Sequence, residues 1–230
     1  MKTIGLIGGM SWESTVTYYQ LLNRMINQKM GGFHSAKCIL YSVDFAEIEE
    51  CQAKGEWEKS GDILAEAAKS LEKAGADYIA ICTNTMHKVF DQVQGRISIP
   101  LIHIAKATAE ELMQENISKV ALLGTKYTMT QDFYKDKLLE VGIEVLIPCE
   151  NDIEKINSVI FNELCQGVIQ EQSRYEFIRI IGELEKQGAQ GIILGCTEIG
   201  LLIKQEDVLA RLFDTTIIHA KRLAKLAFEE

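Results

Sequence analysis

Two short stretches hold the groups that chemistry can use. Ile81-Cys82-Thr83-Asn84-Thr85-Met86-His87 closes an apolar run and offers a thiol, hydroxyls, an amide and an imidazole. Gly195-Cys196-Thr197-Glu198-Ile199-Gly200 closes another with a thiol, a hydroxyl and a carboxylate. A free cysteine is ordinarily a small buried hydrophobe. At the end of a strand and the start of a helix it is also a candidate base, because the helix N-terminus lowers a thiol pKa from about 8.5 and raises the thiolate fraction. Glu198 beside Cys196 acts the other way, and can instead orient a substrate ammonium or hold a proton. A threonine hydroxyl does not ionise appreciably, so Thr83 can deliver a proton, directly or through water, but cannot stand in for a thiolate. His87, one helical turn after Thr83, reads either as a general acid or as a helix-surface residue, and we place it as a support behind Thr83.

Such groups converge only if the scaffold ends its strands along one edge. Short β-branched runs at 3–7, 38–42, 78–82, 101–104, 120–123, 144–147 and 191–194 alternate with helical patterns at 14–29, 60–74, 130–141 and 174–187. That alternation predicts an α/β fold with parallel sheet covered on both faces. The chain also repeats: 73–83 lies over 186–196, and 4–8 lies over 120–124 at nearly the same offset. Two segments in one order at similar spacing indicate a duplicated half. In this overlay Thr83 lies over Cys196, and Cys82 over Gly195. Because strand neighbours point to opposite faces, one of Cys82 and Thr83 opens toward ligand at the strand's carboxyl end and the other packs. The overlay selects Thr83 for chemistry and Cys82 for the core.

Gly5-Leu6-Ile7-Gly8-Gly9 follows the first strand but matches no phosphate-binding fingerprint, so it reads as a tight strand-to-helix turn, with Met10 and Ser11 available to line a cleft. Gly124-Thr125-Lys126-Tyr127-Thr128 is its counterpart, where the hydroxyls of Thr125 and Tyr127 and the helix N–H groups suit a carboxylate.

Composition removes several classes of function. With 24 basic against 33 acidic residues and a net charge of -9, the 230-residue chain has no basic cluster for nucleic acid. Its N-terminal apolar run is too short for a signal peptide and no segment approaches a membrane span, so a cytoplasmic, soluble protein is expected. Six dispersed cysteines and four histidines show neither a disulfide framework nor a metal-ligand spacing.

The combination of Ile4 to Thr15 (IGLIGGMSWEST), Thr83-Asn84-Thr85-Met86-His87 and Gly195-Cys196-Thr197-Glu198 resembles the cofactor-independent aspartate/glutamate racemases, and is most similar to their L-aspartate/glutamate-specific, broad-specificity branch. The resemblance covers essentially the full chain. It implies an isomerase that needs no pyridoxal phosphate, built as two flavodoxin-like lobes with parallel sheets related by a pseudo-twofold, and assembled as a homodimer. The expected lobes are 1–105 with 208–230, and 106–207. Family members carry Cys-Asn-Thr in the first half and Gly-Cys-Thr-Glu in the second, one thiol for each face of the α-carbon. Here Thr83 replaces the first thiol. The resemblance therefore implies Thr83 and Cys196 as catalytic residues, with Asn84, Thr85, Thr197 and backbone N–H groups stabilising the carbanion. Members acting on acidic substrates place an arginine where Gln52 stands, and a lysine for which 162–167 offers no equivalent. A neutral amide removes charge pairing with a distal carboxylate, so a wider substrate range is expected. The rival readings are a single-cysteine decarboxylase of the same superfamily and a non-catalytic amino acid binding protein.

Overall fold

The computed structural model describes residues 1–229. In chain order the elements are β1 (Ile4–Gly8), α1 (Trp12–Met30), β2 (Cys38–Ser42), α2 (Phe45–Lys54), α3 (Trp57–Lys73), β3 (Tyr78–Ile81), α4 (Phe90–Gln94) and β4 (Leu101–Ile102), with a 3-10 turn at Thr85–Val89. They continue as α5 (Ile104–Gln114), β5 (Lys119–Gly124), α6 (Lys126–Thr130), α7 (Asp132–Leu139), β6 (Glu144–Leu146), α8 (Glu150–Asn162), α9 (Glu171–Lys186), β7 (Gly191–Gly195), α10 (Ile199–Leu202), β8 (Arg211–Asp214) and α11 (Thr215–Leu226).

The chain divides into two units, Met1–Ile104 with the residues from His219 onward, and Ala105–Ile218. Each holds one four-stranded sheet, ordered β2-β1-β3-β4 in the first and β6-β5-β7-β8 in the second, with every pairing parallel. Both orders are the flavodoxin-like 2-1-3-4, so the α/β class and the duplication expected from sequence are present. Strands β1 and β7 are buried along their whole length, as parallel strands covered by helices on both faces must be.

Two boundaries differ from expectation. Residues 208–218 belong to the second unit, because Arg211–Asp214 forms a strand whose Leu212 and Phe213 pair with Ile192 and Ile193 of β7. An apolar dipeptide between an arginine and an aspartate carries no readable strand period; its pairing with a buried neighbour makes it one. The helix expected over 130–141 is broken at Gln131, where extended backbone (φ -93°, ψ 159°) separates α6 from α7.

Each unit takes in a helix that follows the other unit's sheet in the chain. Helix α5 follows the first sheet yet lies in the second unit, and α11 follows the second sheet yet joins the first from His219 onward. A buried tyrosine meets each incoming helix. Tyr134 Oη donates to Thr108 Oγ1 of α5 (3.2 Å), and Tyr18 Oη lies 2.9 Å from His219 Nδ1 of α11. His219 Nε2 lies 3.0 Å from the Ile102 carbonyl, which can only accept, so Nε2 carries the proton and Nδ1 accepts from Tyr18. Ala220, Leu223 and Ala224 then pack with Ile4, Leu6 and Leu22, and Tyr78 Oη donates to the Leu223 carbonyl at 2.6 Å.

Replacing Tyr18 by Phe leaves His219 Nδ1 buried without a donor and is expected to lower stability by about 1–2 kcal/mol. Urea unfolding checks this: a reduced midpoint with unchanged m is expected, and an unchanged midpoint would show that this hydrogen bond does not hold α11.

Candidate active site

The carboxyl ends of β1 and β3 carry the first cluster. Gly9 has φ +93° and its Cα lies so close to Val43 that a Cβ would run into that residue's backbone oxygen, so only glycine fits. Its N–H donates to Thr15 Oγ1 (2.9 Å), which in turn donates to the Ser11 carbonyl (3.2 Å). Those bonds hold Ser11 at φ 88°, a strained value for a residue with a Cβ, from which its side chain caps α1. Met10 lies in the apolar cluster with Ile48, Ile81 and Met86.

Cys82 packs against Leu6, Tyr18 and Ala80, its carbonyl accepts from Ser14 Oγ (3.0 Å), and burial pushes its thiol pKa well up. Thr83 follows, half-buried, then buried Asn84, which precedes the 3-10 turn, and buried Thr85, which begins it. Gln52 of α2 comes to the same place, donating from Nε2 to Met86 Sδ at 3.1 Å. His87 is only 2 % exposed, so it is not a helix-surface residue. Its Nδ1 lies 2.8 Å from the Thr83 carbonyl and its Nε2 accepts from the Ile104 N–H at 3.1 Å. Burial lowers its pKa to about 4, so at neutral pH it is uncharged.

The second unit is built to the same register. Ile7 lies opposite Ile81 across β1 and β3, and Leu123 lies opposite Leu194 across β5 and β7. Counting on by two residues in each, Thr83 and Cys196 occupy equivalent strand ends, which is the correspondence found in the sequence repeat. Gly124 and Gly195 face each other so closely that a Cβ on Gly124 would sit 2.9 Å from the Gly195 carbonyl oxygen. Cysteine, which occupies the equivalent position 82 in the first unit, has no room at 195.

Cys196 is 9 % exposed and its Sγ donates to Glu198 Oε2 at 3.0 Å; the Thr197 hydroxyl donates to the same oxygen at 2.7 Å. Glu198 is buried, and its other oxygen has no partner among the described residues. The expected lowering of the thiol pKa is overturned. Burial and then the Glu198 charge raise it well above the ordinary thiol value, and α10, at four residues, supplies too little dipole to compensate. At Gly124-Thr125 the Thr125 Oγ1 caps α6 by accepting from Thr128 N (3.3 Å), and the Lys126 N–H is used within the chain, donating to Asn157 Oδ1 (2.8 Å). Tyr127 is half-buried beside them.

Sequence reading missed that His87, His103 and His219 cluster. Their rings lie 4.8 Å (His87 to His103) and 6.0 Å (His87 to His219) apart, from three separate elements, so no local spacing announces them. Among the described residues no group of three or more His, Cys, Asp or Glu is placed to hold a metal ion, and no helix is long and apolar enough to cross a membrane.

Comparison with known proteins agrees with this architecture. The model of the Asp/Glu/hydantoin racemase family matches residues 7–223. The chain belongs to that family. A candidate Asp/Glu racemase from Yersinia pestis superposes with a TM-score of 0.93 at 53% identity, over 100% of both chains. An aspartate racemase homologue from Pyrococcus horikoshii OT3 gives 0.86 at 43% identity, also over 100% of both. The broad specificity amino-acid racemase RacX of Bacillus subtilis is 34% identical over 83 residues, a match spanning 36% of this chain and 36% of RacX. The family model thus spans both candidate strand ends.

The buried histidines give the family scaffold here an acid-sensitive element. Folded His87 and His219 take up protons only near pH 4 and pH 3, against 6.5 for an ordinary imidazole. The unfolded chain therefore binds these protons first, so their contribution to stability is complete above about pH 6.5 and is lost as pH falls toward the folded values. Unfolding midpoints should drop steadily from pH 6.5 to about 4, and His219→Gln should flatten that slope; a slope unchanged in the variant would refute the assignment.

Proposed function

We propose that the chain interconverts L- and D-aspartate, L- and D-glutamate or related small amino acids without a cofactor, by removal and return of the α-proton, with L-substrates favoured. The observation that carries the reading is the register equivalence of Thr83 with Cys196, a threonine in one half where the other presents a thiol paired with a carboxylate. Similarity to proteins described as Asp/Glu racemases and to RacX supports the reaction class.

In the resting protein Cys196 is a thiol. To act as base it passes its proton to Glu198 Oε2: the S–H bond breaks, an O–H bond forms, and a thiolate remains. The thiolate then takes the α-proton of the L-substrate, forming S–H as C–H breaks. Asn84, Thr85 and Thr197 are assigned as donors to the carboxylate side of the developing carbanion, which must be stabilised before it can form at a useful rate. Thr83 returns a proton on the other face, directly or through water, and regains one from solvent, while Glu198 releases to solvent the proton it took from Cys196, which restores the resting state. Gln52 takes the distal group by hydrogen bonding without a charge, which widens the side chains accepted. Met10, Thr125 and Tyr127 complete the proposed lining. A homodimer in the cytoplasm is the expected setting.

Because racemisation has an equilibrium constant of one, kcat/KM must be equal in the two directions. Poor turnover of D-substrate therefore appears as a lower kcat together with a lower KM.

Incubation with L- and D-amino acids in D2O, without pyridoxal phosphate, tests the reading by NMR and chiral chromatography. Exchange and inversion from L-Asp or L-Glu are expected, falling by about 10²–10⁴-fold in Cys196→Ala. Absence of exchange on every amino acid tested would sink it, and carbon dioxide release from malonates would establish the decarboxylase instead.

A further inference from the structure

We infer that His87 is a positioning residue for Thr83, fixing the direction of the Thr83 hydroxyl by holding its carbonyl from a single, locked tautomer. The catalytic half of this inference rests on the racemase reading; the structural half does not.

Two backbone groups lock the tautomer. The Thr83 carbonyl can only accept, so His87 Nδ1 carries the proton at 2.8 Å; the Ile104 N–H can only donate, so Nε2 is the bare nitrogen at 3.1 Å. The ring is held from its sides by Phe90, stacked at 6.0 Å between centroids, and by His103 at 4.8 Å. Two residues before Ile104, the Ile102 carbonyl is held by His219 Nε2, and His219 by the Tyr18 hydroxyl. The segment after β4 is thereby pinned through one histidine and used to pin Thr83 through another.

The second unit has no counterpart. Four residues beyond Cys196, where the register places the equivalent of His87, stands Gly200, and a Cβ there would lie 2.6 Å from Asp214 Oδ2. The Cys196 carbonyl instead accepts from the nearby Ile199 N–H at 3.1 Å. Only the threonine side carries the imidazole clamp. That asymmetry fits the chemistry: a thiolate is large, polarisable and charged, whereas a neutral hydroxyl transfers a proton only along a short, aligned hydrogen bond. A buried, uncharged imidazole that hydrogen-bonds the backbone carbonyl of the half-buried threonine is a means of securing that alignment.

The test uses the full chain with His87→Ala and His87→Asn, the asparagine amide lying near the place of Nδ1–H. In D2O with L-aspartate or L-glutamate, deuterium in recovered L-substrate reports the Cys196 side, and deuterated D-product reports inversion through Thr83. In His87→Ala inversion should fall tenfold or more, about the scale of a small misalignment, while exchange into L-substrate stays within about threefold. His87→Asn should restore most of the inversion. Loss of both signals together, or of neither, would overturn the positioning role. Imidazole 15N shifts give an answer that needs no activity: a neutral His87 protonated at Nδ1 is expected, with a Thr83 carbonyl 13C shift that moves in His87→Ala and returns in His87→Asn. Protonation at Nε2 would overturn the clamp in either case. If wild type shows neither exchange nor inversion, the racemase reading fails, and these shifts still decide the clamp.

Discussion

Everything placed at the site depends on the registered parallel pairing of β1 with β3 and of β5 with β7. Parallel strands that share a register end at one edge, so their following turns must emerge side by side. In the first unit this sets the Gly9-Met10-Ser11 turn beside Thr83; in the second it sets Gly124-Thr125 beside Gly195-Cys196. The close glycine pair at the second edge exists because the backbones approach until no Cβ fits. Chemistry-bearing residues then need only follow the last buried residue of a strand, and in both halves they do.

The same scaffold supports two different electrostatic solutions. Around Thr83 the polar groups are neutral: a threonine, an asparagine, a glutamine and an uncharged histidine. Around Cys196 a buried carboxylate stands next to a buried thiol, an arrangement that keeps the proton on sulfur until something removes it. A thiol held this way resists adventitious oxidation, since the thiolate is the reactive form. Its reactivity is available only when the proton has somewhere to go, and the group in contact with it is Glu198.

Much of the fold was legible because its signals are local. Buried parallel strands announce themselves as β-branched runs, and the duplication brings Thr83 and Cys196 into correspondence from sequence alone. What sequence could not convey was set by long-range packing. Strand β8 is two apolar residues between charges and becomes a strand only beside β7. The thiol pKa turned on burial, which outweighs the short helix that sequence suggested would dominate. The three histidines come from separate elements, and the tautomer of His87 is decided by Thr83 and Ile104, on opposite sides of it in the chain. Thr125 reads in sequence as either a cap or a ligand contact because one hydroxyl can serve both; the structure shows its oxygen capping α6 by accepting from Thr128 N.

The exchange of α5 and α11 also bears on how the molecule is made. The second unit is a continuous segment, Ala105–Ile218, whereas the first lacks its final helix until residues beyond His219 exist. Every residue of the second unit is therefore made before α11 is complete. The first must wait, its apolar face of Ile4, Leu6, Tyr18 and Leu22 uncovered, until Ala220, Leu223 and Ala224 arrive. Vectorial synthesis thus makes the half translated first the half completed last, because its apolar cluster closes only when α11 packs onto it.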